Sequence, residues 1–247
     1  MSVQVPLTFL DLCQRTQQEC GIAGNLLTTV QNQSGELLRL CSWVTDAWME
    51  IQGQHQDHNF FRSTVTFPTD TTRTAYSPAN AGLTAGTFSQ WAQDSARNYV
   101  TSTGITSEIF MEWMDYERWR DSYLYGATRT VRSRASVFSI APDKSLVFGP
   151  IFDNGYTVLI DYFIAPQPLI NDSDTPTSVS AAVGASGAQG TVPYFWNMLI
   201  VYKAMMSYGA YEHAPEVYNR GEAQSEKFNR RLLQDQLPQI HGPGALA

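Results

Sequence analysis

The sequence predicts an α+β protein: a helical bundle built from N- and C-terminal helices, carrying an inserted small antiparallel β-sheet module. Three observations point there. Apolar residues recur at helical spacing near both ends of the chain. The middle is built from short runs rich in β-branched and aromatic residues, bounded by Pro and Gly turn signals. A stretch from Asn171 to Gly190, with Asp172 and Asp174 as its only charges, separates that middle from the last helices.

The elements follow in order. Thr8 and Asp11 form a capping-box signal for a first helix, whose stripe is Phe9, Leu12, Cys13, Thr16 and Cys20. Gly21 stops it. After a loop from Ile22 to Gln33, Ser34 is placed to cap a second helix. Its stripe is Leu37, Leu40, Cys41, Val44, Trp48 and Ile51, the clearest amphipathic pattern in the chain.

Phe61 to Phe67 reads as a strand ended by Pro68, with Val65 and Phe67 on one face, and Asp70 to Tyr76 as a second. Ser77 to Gly86 reads as a loop. Ala96 to Thr101 and Ser107 to Trp113 read as strands around Gly104, with Ile109, Met111 and Trp113 sharing a face. Asp115 to Tyr125 reads as a short helix ended by Gly126. Ser136–Ile140, Ser145–Phe148 and Tyr156–Ala165 read as a meander, turning at Pro142-Asp143 and Asn154-Gly155.

Pro193 opens a helix from Tyr194 to Glu212 that is apolar almost all round, the pattern of a helix covered on every side. Pro215 opens a final helix to about Leu233, with Val217, Gly221, Gln224, Phe228 and Leu232 along its stripe. Its other face offers the i,i+4 pairs Glu216–Arg220 and Glu226–Arg230. The expected divisions are helices over 1–59, a β-rich insert with one short helix over 60–170, a flexible low-complexity loop over 171–192, helices over 193–236 and an extended tail over 237–247.

Composition narrows the function. Charged residues are 16% of the 247 and aromatics 12%, which excludes a disordered chain. The net charge of −7 excludes a generally basic nucleic-acid binder. Thirteen of the sixteen basic residues are Arg, the exceptions being Lys144, Lys203 and Lys227. Arg over Lys with abundant Trp, Tyr, Phe and Met is the composition of protein interfaces, so the chain reads as one with much of its surface covered by partners. Cys13, Cys20 and Cys41 match no disulfide framework or zinc spacing and suit a reducing compartment at synthesis. The sequence predicts neither a signal peptide nor a membrane span.

Motifs that carry chemistry are sparse. No phosphate-cradling loop, nucleophile elbow or HExxH helix occurs. His55 and His58 can share a face but lack a third ligand, so no metal or cofactor is expected. The cluster Glu112, Asp115, Glu117, Arg118, Arg120 and Asp121 reads as an ion-pair network before it reads as an acid/base pair. A hydrolase built on it is the minor alternative. The densest positive run is Arg129, Arg132 and Arg134, the last two expected on one side of a strand and able to touch DNA backbone or a neighbouring subunit.

Several segments in order resemble the head-to-tail adaptor proteins of tailed bacteriophages. The early helix carries Ser34-Gly-Glu-Leu-Leu-Arg-Leu, Ala47-Trp48-Met-Glu-Ile51 and Phe60-Phe61-Arg62, after the opening Thr8-Phe-Leu-Asp-Leu-Cys-Gln-Arg. The middle carries Trp119-Arg-Asp-Ser-Tyr-Leu, Ser139-Ile-Ala-Pro-Asp143 and Ala165-Pro166-Gln-Pro-Leu. The late helix pair carries Tyr202-Lys-Ala-Met-Met-Ser-Tyr-Gly and Glu212-His-Ala-Pro215. The match is weakest over Ser173–Gly190 and after Ile240.

The resemblance implies a virion structural protein without catalysis. It would form a ring, of twelve copies in such families, beneath the portal protein in the neck between head and tail. The ring would extend the channel for double-stranded DNA without sequence-specific binding and offer a docking surface to a tail or nozzle protein. Assembly would take place in the host cytoplasm, with no membrane involved. The segment from Gln234 to Ala247 would reach the portal or a neighbouring subunit through Leu237, Pro238, Ile240 and Leu246. A tail-completion or other distal tail protein is the alternative.

Overall fold

The computed structural model describes residues 7–55, 58–84, 86–176 and 196–237. They fall into two compact units. The chain leaves a helical unit after Phe61, builds a β-rich unit from Arg62 to Ala165, and returns to the helical unit at Pro166. The α+β class is as expected, with antiparallel pairing throughout the sheets except for one short pair.

In the helical unit, α1 (Phe9–Cys20) begins with a complete capping box. The Thr8 hydroxyl accepts from the Asp11 N–H at 3.1 Å, and Asp11 accepts in return from the Thr8 N–H at 3.0 Å. Gly21 ends the helix at φ 69°, a left-handed conformation that costs glycine little. α2 (Gly35–Gln54) buries Leu40, Cys41, Val44, Ala47, Trp48 and Ile51. Ser34 stands at its N-cap position, but its side chain makes no capping bond.

α4 (Asn197–Tyr211; α3 lies in the β-rich unit) is the apolar helix read from sequence, and it packs against α1, α2 and α5 (Pro215–Gln236). Pro193 and its neighbours lie outside the described residues. The hairpin of α4 and α5 closes on two glycines. A Cβ at Gly209 would sit 2.7 Å from the Tyr218 nitrogen, and one at Gly221 2.8 Å from the Tyr202 carbonyl. Of the two expected surface pairs on α5, Glu226–Arg230 is a loose 4.0 Å contact. Arg220 instead pairs at 2.5 Å with Glu19 of α1.

The returning segment is stitched to the helices. Gln52 donates to the Gln167 carbonyl at 2.9 Å and accepts from its N–H at 3.0 Å. Asp172 accepts from the Val30 N–H at 2.6 Å and from the Thr29 hydroxyl at 2.9 Å. The Asp174 carbonyl accepts from the first N–H of α1, that of Phe9, at 2.6 Å. So residues 171–174, read from sequence as the start of a featureless loop, supply partners to backbone groups that α1 cannot satisfy itself.

The β-rich unit holds two sheets. The first has β9 (Tyr156–Ile164) at its centre. β1 (Arg62–Pro68) runs antiparallel along one edge of β9, while β4 (Arg97–Val100) and β3 (Phe88–Trp91) pair in turn along the other. β5 (Ile109–Phe110) pairs with β4. The second sheet runs β2 (Ala75–Tyr76), β8 (Leu146–Gly149), β7 (Val137–Ile140), β6 (Glu112–Trp113), and β6 lies parallel to β7. Phe67, Tyr76, Phe148, Phe152 and Tyr156 form a continuous run of ring contacts between the two sheets, each 5.0–5.6 Å between centroids.

Three readings from sequence need correction, and one strand has no counterpart in the sequence reading. The expected meander does not form: β7 and β8 are a hairpin of the second sheet, whereas β9 is the central strand of the first. Ser107–Trp113 is not one strand, because the chain changes sheet at Met111, which is fully buried while Trp113 is 40% exposed. Only Ala75–Tyr76 of the Asp70–Tyr76 run is strand, since Asp70 turns the chain by accepting from the Thr72 N–H at 2.8 Å. β3 gave no sequence signal among its polar neighbours.

Asp115 caps the short helix α3 (Tyr116–Trp119), accepting from the Glu117 N–H at 3.1 Å. The helix continues as a π-turn over Arg120–Leu124, and Gly126 leaves it at φ 72°.

Candidate functional site

The three arginines singled out from sequence come from a short 3-10 turn, Ala127–Thr130, and an extended stretch after it. There is no strand to hold Arg132 and Arg134 on one face: Arg132 makes only an isolated bridge to Ile151. The side chains part company. Arg129 is exposed. Arg132 is exposed and donates to the Thr71 carbonyl.

Arg134 is half-buried and turned into its own unit. Its Nε donates to Asn98 Oδ1 at 2.8 Å, and its Nη2 to the Asn98 carbonyl at 2.8 Å and the Ser107 carbonyl at 2.5 Å. Its guanidinium lies 5.6 Å from the centroid of the Tyr156 ring. Asn98 is fully buried and donates in turn to the Ala135 carbonyl at 2.8 Å. Arg134 is thus the outer end of a network that joins β4 to the segments at Ser107 and Ala135.

Of the tail residues, Leu237 ends α5, its N–H donating to the Leu233 carbonyl at 3.1 Å. Gln234–Gln236 belong to the last turn of α5, with Gln236 buried. Pro238, Ile240 and Leu246 lie outside the described residues.

The remaining chemical candidates resolve into structure. Glu117 and Arg120 pair at 2.6 Å on an exposed face, and Asp121 stands 4.0 Å from the same guanidinium. Among the described residues no three His, Cys, Asp or Glu side chains come together as metal ligands. All three cysteines are free and buried. Hydrogen bonding to Cys41, then burial, holds the Cys13 thiol far above its ordinary value. The same hydrogen bond lowers Cys41. Burial, with the neighbouring Glu19 carboxylate, pushes Cys20 up to about 12, so at neutral pH it is a protonated apolar group. No helix among the described residues is long and apolar enough to cross a membrane.

Sequence reasoning missed Asp172 and Asp174 as structural acids. Asp174 is held below the usual carboxylate range: burial pushes it up, and the N–H groups of Asn171 and Ile170, with the Asn171 side chain, pull it down further. The signal available was that these two are the only charges in a stretch of small residues.

The described residues build a unit of packed helices and a two-sheet module. Residues 7–245 match the family model described as SU10 adaptor protein, and the chain belongs to that family, one of phage head-to-tail adaptors. It is a structural adaptor of a bacteriophage virion, and membership implies contact with portal and tail components. No curated protein matches the chain.

Proposed function

We propose that the protein forms a ring beneath the portal in the virion neck, in twelve copies, after assembly in the host cytoplasm. The ring extends the channel for double-stranded DNA and presents a docking surface to the tail or nozzle protein. The observation that carries this reading is family membership across residues 7–245. The net charge of −7 suits a passage that DNA must cross without sticking. The preference for Arg over Lys and the abundant aromatics suit a subunit with several neighbours.

In this reading Leu237, Pro238, Ile240 and Leu246 contact the portal or a neighbouring subunit. Arg129 and Arg132 meet DNA or an acidic neighbour, while Arg134 holds the segment that carries them. The helical elements pack as a bundle through α4.

Mixing the purified protein with portal rings and measuring the mass of the product tests the proposal. One copy bound per portal subunit is expected, even if the free protein is monomeric. A folded protein that fails to bind intact portal rings would overturn the reading and favour a tail-completion or more distal tail protein. A chain truncated after Leu237, which keeps α5 whole, is expected to melt like the full chain and to lose portal docking. Undiminished docking would remove the tail from the interface.

A further inference from the structure

The first sheet of the β-rich unit ends in β1 on one side and in β5 on the other. An antiparallel pair exchanges hydrogen bonds through alternate residues, and the residues between them turn their backbone groups the other way. Thr69, next in register after β1, donates to the Tyr156 carbonyl at 2.7 Å. Asp161, opposite Thr64, faces away from β1: its carbonyl accepts from the Ala92 N–H at 2.9 Å and its N–H donates to the Ser95 hydroxyl at 2.9 Å. Ser63, Val65 and Phe67 therefore bond β9, and the N–H and C=O groups of Thr64 and Thr66 point out of the sheet, unbonded among the described residues. At the opposite edge the Met111 N–H donates to the Ala96 carbonyl at 2.9 Å. The adjoining pair, Phe110 and Arg97, thus leaves the N–H and C=O of Phe110 facing outward.

Open sheet edges are usually blunted by lysines, prolines, bulges or shortness. β1 carries none of these along its length. It has seven residues, its register with β9 is unbroken, and from Ser63 to Phe67 it holds no charge and no proline. Arg62 at its start is tied to Asp161 at 2.8 Å. β3, by contrast, is bulged between Phe88 and Gln90. At the β5 edge Phe110 is 53% exposed and Ile105, in the turn before it, 72%. Arg97 and Glu108, which flank β5, are already paired with each other at 2.8 Å.

We propose that β1 of one copy pairs with β5 of the next, so that a continuous antiparallel sheet joins neighbouring subunits; the inference rests on the ring reading above. Strand direction carries it. β9 runs antiparallel to both β1 and β4, and β4 antiparallel to β5, so β1 and β5 run opposite ways. A second copy set alongside in the same orientation brings its β5 antiparallel to β1, and the alternation passes through the junction unbroken. Contact between two different edges is head-to-tail, the kind of interface that closes into rings. β1 against β1 would be two-fold and would stop at a dimer. Thr66, Leu159, Arg97 and Phe110 lie in one cross-strand row and share a face. The pairing therefore sets the exposed Phe110 ring beside the exposed Thr66 of the neighbour, an aromatic and β-branched pair.

The test uses the full chain assembled on portal rings. Thr66→Cys and Phe110→Cys are combined in one chain, whose own three cysteines are buried. Within a copy the two positions are three strand spacings apart, about 14 Å, so a shorter bismaleimide links them only between copies. A ladder of dimers, trimers and higher species on a denaturing gel is expected from the double variant, and none from either single variant. Thr66→Pro removes an N–H that the fold does not use, as edge strands allow. It should melt near wild type and raise the concentration needed to fill the portal ring roughly tenfold. Full occupancy of the portal without a ladder, or a folded Thr66→Pro variant that assembles like wild type, overturns the edge pairing and leaves the ring reading standing. A dimer from Thr66→Cys alone, or its linkage to the portal chain, gives β1 a different occupant and overturns the pairing as well. Failure of the wild-type chain to assemble on the portal overturns the ring reading and this pairing with it.

Discussion

Arg134 and Arg129 stand five residues apart and do different things. Arg134 makes three donations to Asn98 and Ser107. Its replacement by alanine leaves the fully buried Asn98 side chain without its outer partner, at an expected cost of about 2–4 kcal/mol. Arg129→Ala should change stability by less than about 0.5 kcal/mol, since the side chain is exposed. Urea unfolding of the two variants checks the difference, and equal effects would remove the network from the account.

Glycines divide in the same way. Gly221→Ala drives a methyl to 2.8 Å from the Tyr202 carbonyl of the facing helix. Neither backbone yields easily, so about 1–3 kcal/mol of destabilisation is expected. Gly53 lies near the exposed end of α2 with nothing within 4 Å of a built Cβ. There the same substitution should stabilise by about 0.5 kcal/mol, because alanine loses less backbone freedom on folding. Opposite signs in thermal melts are the expected outcome.

At the scale of elements, the start of α1 depends on a strand of chain more than a hundred residues away in sequence. Asp174 accepts from the N–H groups of Asn171 and Ile170 while its carbonyl holds the Phe9 N–H. Its carboxyl is lowered in the folded protein. By linkage, the stability it contributes is fully present above the unfolded value, about 3.9, and is lost as pH falls through the lower folded value. Acid should therefore loosen the tie between residues 170–174 and α1. Amide exchange at Phe9 and Ile170 should rise below about pH 4, and Asp174→Asn should show the faster exchange already at neutral pH.

Several elements could be read from residues alone. α1 could, because its cap, stripe and terminal glycine all lie within the helix and its two flanking residues. α4 could, because a run apolar on every side has few other homes. β3 could not: Phe88–Trp91 is short, and it is a strand only because β9 offers it an edge beyond the end of β4. The three-strand meander failed for the same kind of reason. A tight turn joins β7 to β8, but nothing local decides which sheet the next strand enters.

Considered as a whole molecule, the described residues leave several large apolar side chains on the surface. Ile105, Phe110, Trp113 and Tyr125 of the β-rich unit are exposed by 40–72%. Single exposed apolar residues are ordinary, and two clefts that meet at Tyr116 add concave, partly aromatic surface to them. Among the proposed contact residues, the sequence separated the arginine run from its surroundings by charge density alone. It could not say that Arg134 points inward, because the partners that capture it, Asn98 and Ser107, lie far away along the chain.

By itself, the sequence determined the α+β class, the terminal helices and the stop of α1, the absence of familiar catalytic motifs and the adaptor family, all of which rest on local spacing or on order along the chain. Tertiary structure alone decided the two-sheet arrangement, the switch of sheets at Met111, the capture of Arg220 by Glu19 and of Arg134 by Asn98, and the anchoring of residues 172–174 to α1. The physical reason is common to these. Local spacing fixes which backbone groups a segment satisfies for itself, whereas strand edges, buried donors and charged ends are satisfied by whichever distant residues the packed core brings within hydrogen-bonding reach.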